Sequence, residues 1–410
     1  MKIDKRHLSL EYLWFYIVIS LIYIKLSFSY LIVENNYWTR NFPLNSDVFN
    51  FFGVPKSLSN NIEFLLLPLL LLYIISNLRY LGKLKFTFYF SFTLYLYNVV
   101  TFFLNDVTFL NSIEFTLKIL SPIYLFICMI IFIKKNEVGY EKILIKLFVF
   151  CLLLTLVGIT FFNVSINRKI VQLPIFFANI HTHSYILTSI FIGVSYLIYL
   201  KKKPWTLFLF FIISYSFIHF GYAVRTASLL YLVFILIMLY INNHIFKYII
   251  VQVMVFLPLI TLLIVLILDL DLDKISSGRL TMYGDKFELL GSYTFIEILF
   301  GRGFGSDLIV TEKWWWDEKG SHSDYITYVI ENGIFYLLTF LVVILSLIRI
   351  NRKTNLIIIS LVFGYLLTSL ISNGIAVRPL AGYVFFMGLA FIYMSIYESN
   401  NLRSENVGEL

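Results

Sequence analysis

Charge is scarce in this sequence. Asp, Glu, Lys and Arg supply 14% of its 410 residues, against 60% hydrophobic and 19% aromatic, a balance far from that of water-soluble domains. That shortage excludes a soluble globular protein. Cysteine is almost missing as well: Cys128 and Cys151 both fall within apolar runs, too deep for a structural disulfide or a zinc site, and read as small buried apolar groups. No cleavable signal is apparent, because the basic start runs into an apolar segment long enough to span, with no small-residue cleavage site after it. No internal repeat stands out, nor an inverted pair of interrupted helices of the kind that marks many transporters.

What the sequence has in abundance is apolar runs of about 20 residues, the length that crosses a hydrocarbon core of roughly 30 Å. Twelve can be drawn, over residues 10–33, 62–80, 84–104, 113–133, 143–163, 174–200, 205–220, 222–241, 247–268, 323–348, 355–372 and 380–397. An even number places both termini on one side. Basic residues cluster at Lys2, Lys5 and Arg6, at Arg79, Lys83 and Lys85, at Lys134, Lys135 and Lys142, at Lys201 to Lys203, and at Arg349, Arg352 and Lys353. All of these fall in loops on the N-terminal side, which the positive-inside rule makes cytoplasmic. The expectation is therefore an all-α polytopic membrane protein of about twelve transmembrane helices, residues 1–410 forming a single membrane domain with both termini in the cytoplasm. The net charge of +8 then reflects orientation in the membrane and implies no nucleic-acid partner.

Two connections on the non-cytoplasmic side are longer than the rest, 34–61 and 269–322. The second, between helices nine and ten, is too long for a plain connector and too aromatic for disorder. It is expected to be a large outer loop folded against the membrane face.

Ionisable residues inside a bilayer cost about 2.5 to 3.5 kcal/mol each on insertion scales, so each calls for a reason. Arg225 begins the eighth helix in GYAVRTASLL, Lys118 lies in the fourth, and Glu331 lies about two turns into the tenth. Snorkelling or mutual pairing accounts for Lys118; Arg225 reads more as a functional group. His322, in SHSDYITYVIENG, sits where the long loop becomes helix ten. At 3.6 residues per turn it tops a stripe with Tyr325, Val329, Gly333 and Tyr336. A neutral imidazole there could take a proton from a hydroxyl; an interfacial histidine capping the helix is the plainer account, and Ser321 or Ser323 could also cap it.

SGRLTMYGDKF places Arg279 early in the loop, and IEILFGRGFGSD follows with Gly301, Arg302, Gly303 and Gly305. Glycines at alternate positions allow tight turns but lack the spacing of a dinucleotide fingerprint. The planar fork of an arginine suits phosphate oxygens, so Arg225 and Arg279 together could hold a pyrophosphate without a metal; a solvated loop charge is the alternative for Arg279. Asp269, Asp271 and Asp273 in LDLDLDK invite a metal-binding reading, yet they mark the outer end of helix nine, where solvation is simpler. Trp314 to Trp316 suit membrane anchoring or stacking on a sugar ring. His181 and His183, in ANIHTHSY near Arg168 and Lys169, do not share a helical face, which disfavours a metal pair.

From about residue 168 to 348 the chain resembles the O-antigen polymerase and O-antigen ligase superfamily of bacterial polysaccharide membrane proteins. AVRTASLLYL resembles that family's arginine stretch opening a helix. SGRLTMYGDKFELL with LFGRGFGSD resembles its arginine, aromatic and Gly-x-Gly outer loop. SHSDYITYVIENGIFYLL resembles its His-[Asn/Ser/Gln]-x9-Gly-x-x-Gly signature, except that Tyr336 replaces the second glycine. The resemblance implies a metal-independent, cofactor-free, inverting glycosyltransferase of the inner membrane, acting at the periplasmic face on oligosaccharides linked to undecaprenyl pyrophosphate. His322 would deprotonate the acceptor hydroxyl, Arg225 and Arg279 would hold the departing pyrophosphate, and Arg168, Arg302, Glu331 and Trp315 are candidate substrate contacts. Polymerase and ligase differ in acceptor, a second lipid-linked repeat unit or the lipid A core; length and residue bias favour the polymerase, with a chain-length regulator as a further partner. A lipid-linked oligosaccharide flippase or another transporter is the rival class.

Overall fold

A computed structural model of the chain describes residues 5–32, 61–104, 109–136, 139–161, 163–165, 172–242, 273, 278–311, 318, 320–348 and 356–407. Among them the helices are α1 (Lys5–Ser27), α2 (Ile62–Ser76), α3 (Leu84–Leu104), α4 (Phe109–Asn136), α5 (Tyr140–Phe161), α6 (Ile180–Leu200), α7 (Pro204–Ser216), α8 (Arg225–Asn242), α9 (Arg279–Gly291), α10 (Phe295–Phe300), α11 (Asp324–Ser346), α12 (Leu356–Ile371) and α13 (Pro379–Val407). The remaining regular structure is slight: β1 (Asn163–Ser165) pairs antiparallel with β2 (Gln172–Pro174). Hydrocarbon offers no partner for a backbone amide, so an apolar run that crosses it closes its own hydrogen bonds as a helix.

Among the described residues, six helices are long and apolar enough to cross a membrane: Leu10–Ser27, Thr116–Asn136, Ile180–Leu200, Pro204–Tyr222, Asp324–Ser346 and Pro379–Tyr397. Shorter apolar helices run over Ile62–Ser76, Arg225–Ile241 and Leu356–Ile371. The chain is thus a mostly helical protein with several apolar helices of membrane-crossing length. A helix stands at every position drawn from the sequence except 247–268, which lies outside the described residues. The sixth starts later than expected, because residues 172–174 form β2 and Asn179 caps α6 by accepting the Thr182 amide at 2.9 Å. An N-cap asparagine sets a helix start more firmly than the apolar run before it.

The chain gathers into two compact units. The first comprises Met1–Phe88, Leu117–Tyr231 and Arg378–Leu410, the second Tyr89–Thr116 and Leu232–Val377.

Within the first unit, α4 is buried on nearly every side from Leu117 to Ile133, as a helix apolar all round should be. Tyrosine hydroxyls tie its helices together. Tyr185 donates to Thr226 at 2.7 Å, Tyr196 pairs with Ser395 at 2.6 Å, and Tyr231 meets Ser214 at 2.7 Å and Ser195 at 3.1 Å. Each ring fills apolar space while its hydroxyl finds the partner that low dielectric demands. The histidines expected to be a poor metal pair are used differently. His183 is fully buried, its Nδ1 accepts the Phe176 amide and its Nε2 lies 3.1 Å from the Tyr222 hydroxyl, which donates to the Pro174 carbonyl at 2.8 Å. That chain of bonds pins β2 to the turn before α8.

The first unit also holds an ion pair that the sequence reading passed over. Lys25, in the last turn of α1, meets Glu63, in the first turn of α2, at 2.6 Å, and the two are 2% and 1% exposed. The Tyr383 hydroxyl lies 3.4 Å from Glu63 and 2.8 Å from Ser121.

Candidate functional site

The second unit contains the His322 segment. Helix α11 starts at Asp324 with Ser323 as its cap residue, so His322 stands just before the helix. This corrects the expected stripe: His322 is not on the helical face, and Gly333, with φ 81° and ψ 170°, breaks the helix before Tyr336. His322 instead adopts a left-handed backbone, φ 52°. Such a conformation is uncommon outside glycine and persists only where the surroundings impose it.

Three sets of bonds impose it. Asp307 Oδ2 accepts the Ser321 amide at 2.8 Å and the Thr327 hydroxyl at 2.7 Å. The Ser321 hydroxyl donates to the Ser323 carbonyl at 3.0 Å, across the histidine. On the far side the Ser323 hydroxyl donates to the Leu370 carbonyl at 2.8 Å, leaving the cap role that the sequence suggested for it. The buried Asp307 is balanced by the buried Lys286, whose ammonium lies 3.2 Å from Oδ1 and also bonds the Asp307 carbonyl. Burial lowers the Lys286 pKa below the usual lysine range, while Asp307 and Glu331 oppose the shift.

The same helix end receives Arg279. Its guanidinium donates to the Ile371 carbonyl at 2.8 Å, and Tyr325 donates to the Leu366 carbonyl at 2.9 Å. A cation at a helix C-terminus meets the negative end of the helix dipole and the carbonyls left without helical donors. Arg279 and the chain flanking His322 are thus tied to consecutive carbonyls, Ile371 and Leu370. Asp324, buried in the first turn of α11, accepts the Gly374 amide at 2.9 Å and fixes the segment after α12 to the same place. Arg279, Met282 and Lys286 follow helical spacing along α9, and the burial of Met282 marks the inward face. That spacing was legible in the sequence and is the signal that would have found Lys286. Asp273 caps α9, accepting the Thr281 amide at 3.0 Å, so at least this carboxylate serves a helix start and not merely solvation. Asp269 and Asp271 lie outside the described residues.

A second cluster closes the break in α11. The Arg302 amide donates to the Ile330 carbonyl at 3.0 Å, the Gly303 amide to the Glu331 carbonyl at 2.9 Å, and the Gly305 amide to Glu331 Oε1 at 2.9 Å. Gly301 and Gly333 lie back to back. A β-carbon on Gly333 would stand 2.2 Å from the Leu299 carbonyl oxygen, and one on Gly301 2.2 Å from that of Glu331. The glycine run is thus the backbone partner of the Glu-Asn-Gly stretch, a pairing invisible in either motif alone. Replacing Gly333 by alanine should cost about 3 kcal/mol or more, since its backbone region is almost closed to other residues and the new methyl meets a main chain. The folded yield on size exclusion in detergent, expected to collapse, checks this.

The Arg302 side chain is held within its own loop. Its Nε donates to Glu297 at 2.7 Å, its Nη2 to the Ser292 carbonyl at 3.2 Å, and it lies 3.9 Å over the Tyr293 ring. Glu331 holds the glycine loop through its Oε1. Arg225 opens α8 in the first unit and is exposed. Lys118 is half-buried on α4. Arg168 and Trp315, with the rest of the tryptophan triplet, lie outside the described residues. Comparison with known proteins adds no relative: no family model, no curated protein and no solved structure matches the chain.

Proposed function

We propose that the protein is a polysaccharide polymerase of the bacterial inner membrane, joining oligosaccharide units carried on undecaprenyl pyrophosphate. The observation that supports this best is a histidine held in a strained backbone, with an arginine fixed to the same helix end. In this reading His322 takes the proton of the acceptor hydroxyl as its oxygen attacks the anomeric carbon. The bond from that carbon to the pyrophosphate breaks with inversion, and the lipid pyrophosphate leaves with the electron pair. Arg279 stabilises the charge that grows on the leaving group. The reaction is drawn from residues of the second unit alone. About twelve crossings, cytoplasmic termini and a site facing the periplasm complete the proposal, on the evidence of the basic clusters.

Transport is the second reading, favoured by one observation: α11 is interrupted beside a buried carboxylate, as helices in many transporters are. The carbonyls that such a break would offer an ion, those of Ile330 and Glu331, are taken by loop amides. Deleting the gene and reading surface polysaccharide on a gel separates the classes. Core bearing one repeat unit supports a polymerase, bare core with polymer retained on the lipid carrier makes the protein a ligase, and an unchanged ladder points to transport. Complementation with Arg279→Lys should restore only short chains, because an ammonium cannot supply the paired donors of a guanidinium. A normal ladder would remove Arg279 from the reaction.

A further inference from the structure

The outer loop is expected to lie against the membrane face, and part of it packs on α11. We propose that α10 is a re-entrant helix, dipping into the bilayer beside α11 and touching lipid hydrocarbon with its uncovered face. Beyond the break at Gly333, helix α11 retains only Ile334–Ser346, about 20 Å at 1.5 Å per residue, against a hydrocarbon core of roughly 30 Å. For α11 to cross, the turns before Gly333 must also lie in hydrocarbon, which sets the break about 10 Å inside. Gly301, at the end of α10, is in van der Waals contact with that break. The C-terminal end of helix α10 is therefore at the same depth.

Its other contacts agree. Tyr97, well inside the apolar helix α3, donates to the Leu299 carbonyl at 2.7 Å and stacks on Phe300, which meets Phe335 of α11 edge-on. Phe295 and Ile296 are 74% and 60% exposed. Like Ile334, Phe335 and Leu338 of α11, they are exposed apolar side chains of the kind that lipid would cover. Irregular backbone survives at membrane depth only when protein satisfies it. The amides of Arg302, Gly303 and Gly305 are satisfied by α11, and those of Thr294 and Glu297 by a capping box between these two residues. Arg302 is neutralised by Glu297 and folded back onto Tyr293 and Ser292, as a cation near hydrocarbon requires.

The test needs no substrate. Phe295→Cys and Ile296→Cys, each in a Cys128→Ala/Cys151→Ala background, are labelled with a nitroxide in phospholipid vesicles, and collisions with oxygen and with a water-soluble nickel chelate are compared. Leu338→Cys gives the lipid reference and Lys201→Cys, in the exposed turn after α6, the water reference. At both positions the label should match Leu338→Cys, with oxygen collisions high and nickel collisions low. Nickel collisions as frequent as at Lys201→Cys would overturn the re-entrant placement and return the segment to the membrane surface. Neither outcome depends on which reaction the protein catalyses.

Discussion

In the proposed reaction, alanine at position 322 should lower glycosyl transfer by about 10² to 10⁴, the usual worth of a positioned general base, while the protein remains folded in the membrane. The loss is one of chemistry, because the bonds of Ser321, Ser323 and Thr327 that hold the segment remain in the variant. A non-glycine residue at φ 52° costs on the order of 1 to 3 kcal/mol when backbone strain is stored at a site. His322→Gly removes that cost and should melt a few degrees higher than the natural protein while being just as inactive as the alanine variant. Gain in stability with loss of transfer is the signature of a residue kept for function. Purified His322→Ala that elongates lipid-linked oligosaccharide at the normal rate would dismiss the base assignment. A glycine variant that melts lower would show that the histidine serves the fold instead.

The second large effect concerns stability alone. Lys25→Ala strands the Glu63 carboxylate in a site where it is 1% exposed, and breaking a buried pair from one side costs about 3 to 5 kcal/mol. Glu63→Ala strands the ammonium with the same consequence. The double variant Lys25→Met/Glu63→Leu removes both charges and replaces them with apolar volume, so it should recover most of the loss. Fluorescence-monitored melting in detergent gives the three values side by side. A single variant as stable as the natural protein would mean that water reaches the pair. Tyr383 and Ser121 extend the network from Glu63 into α13 and α4, so the pair joins four helices of the first unit.

Composition and hydropathy made the architecture legible. An apolar run in a membrane satisfies its own backbone as a helix whatever its neighbours are, so helix positions follow from local sequence. Boundaries departed from the apolar runs where a specific hydrogen bond intervened, as at Asn179. The polar chemistry was legible only as a set of suspects. His322 and Arg279 stood out by type and place; Lys286, Asp307, Lys25 and Glu63 did not, although the first two fell within stretches already singled out.

Hydropathy along the chain is enough to give a mostly helical protein with several apolar helices of membrane-crossing length, and residue type marks the stretches in which its chemistry is sought. Which groups meet one another follows from packing. Glu63 meets Tyr383 across 320 positions, Arg279 meets the Ile371 carbonyl across 92, and Gly305 meets Glu331 across 26. Hydropathy is a property of each segment alone, whereas a hydrogen bond belongs to two segments and depends on how they pack. For that reason the pairing of Arg302, a candidate substrate contact in the sequence, with Glu297 five residues before it emerged only from the fold. His322, an ordinary helix-start histidine by spacing, proved to be clamped in a backbone that it would not choose.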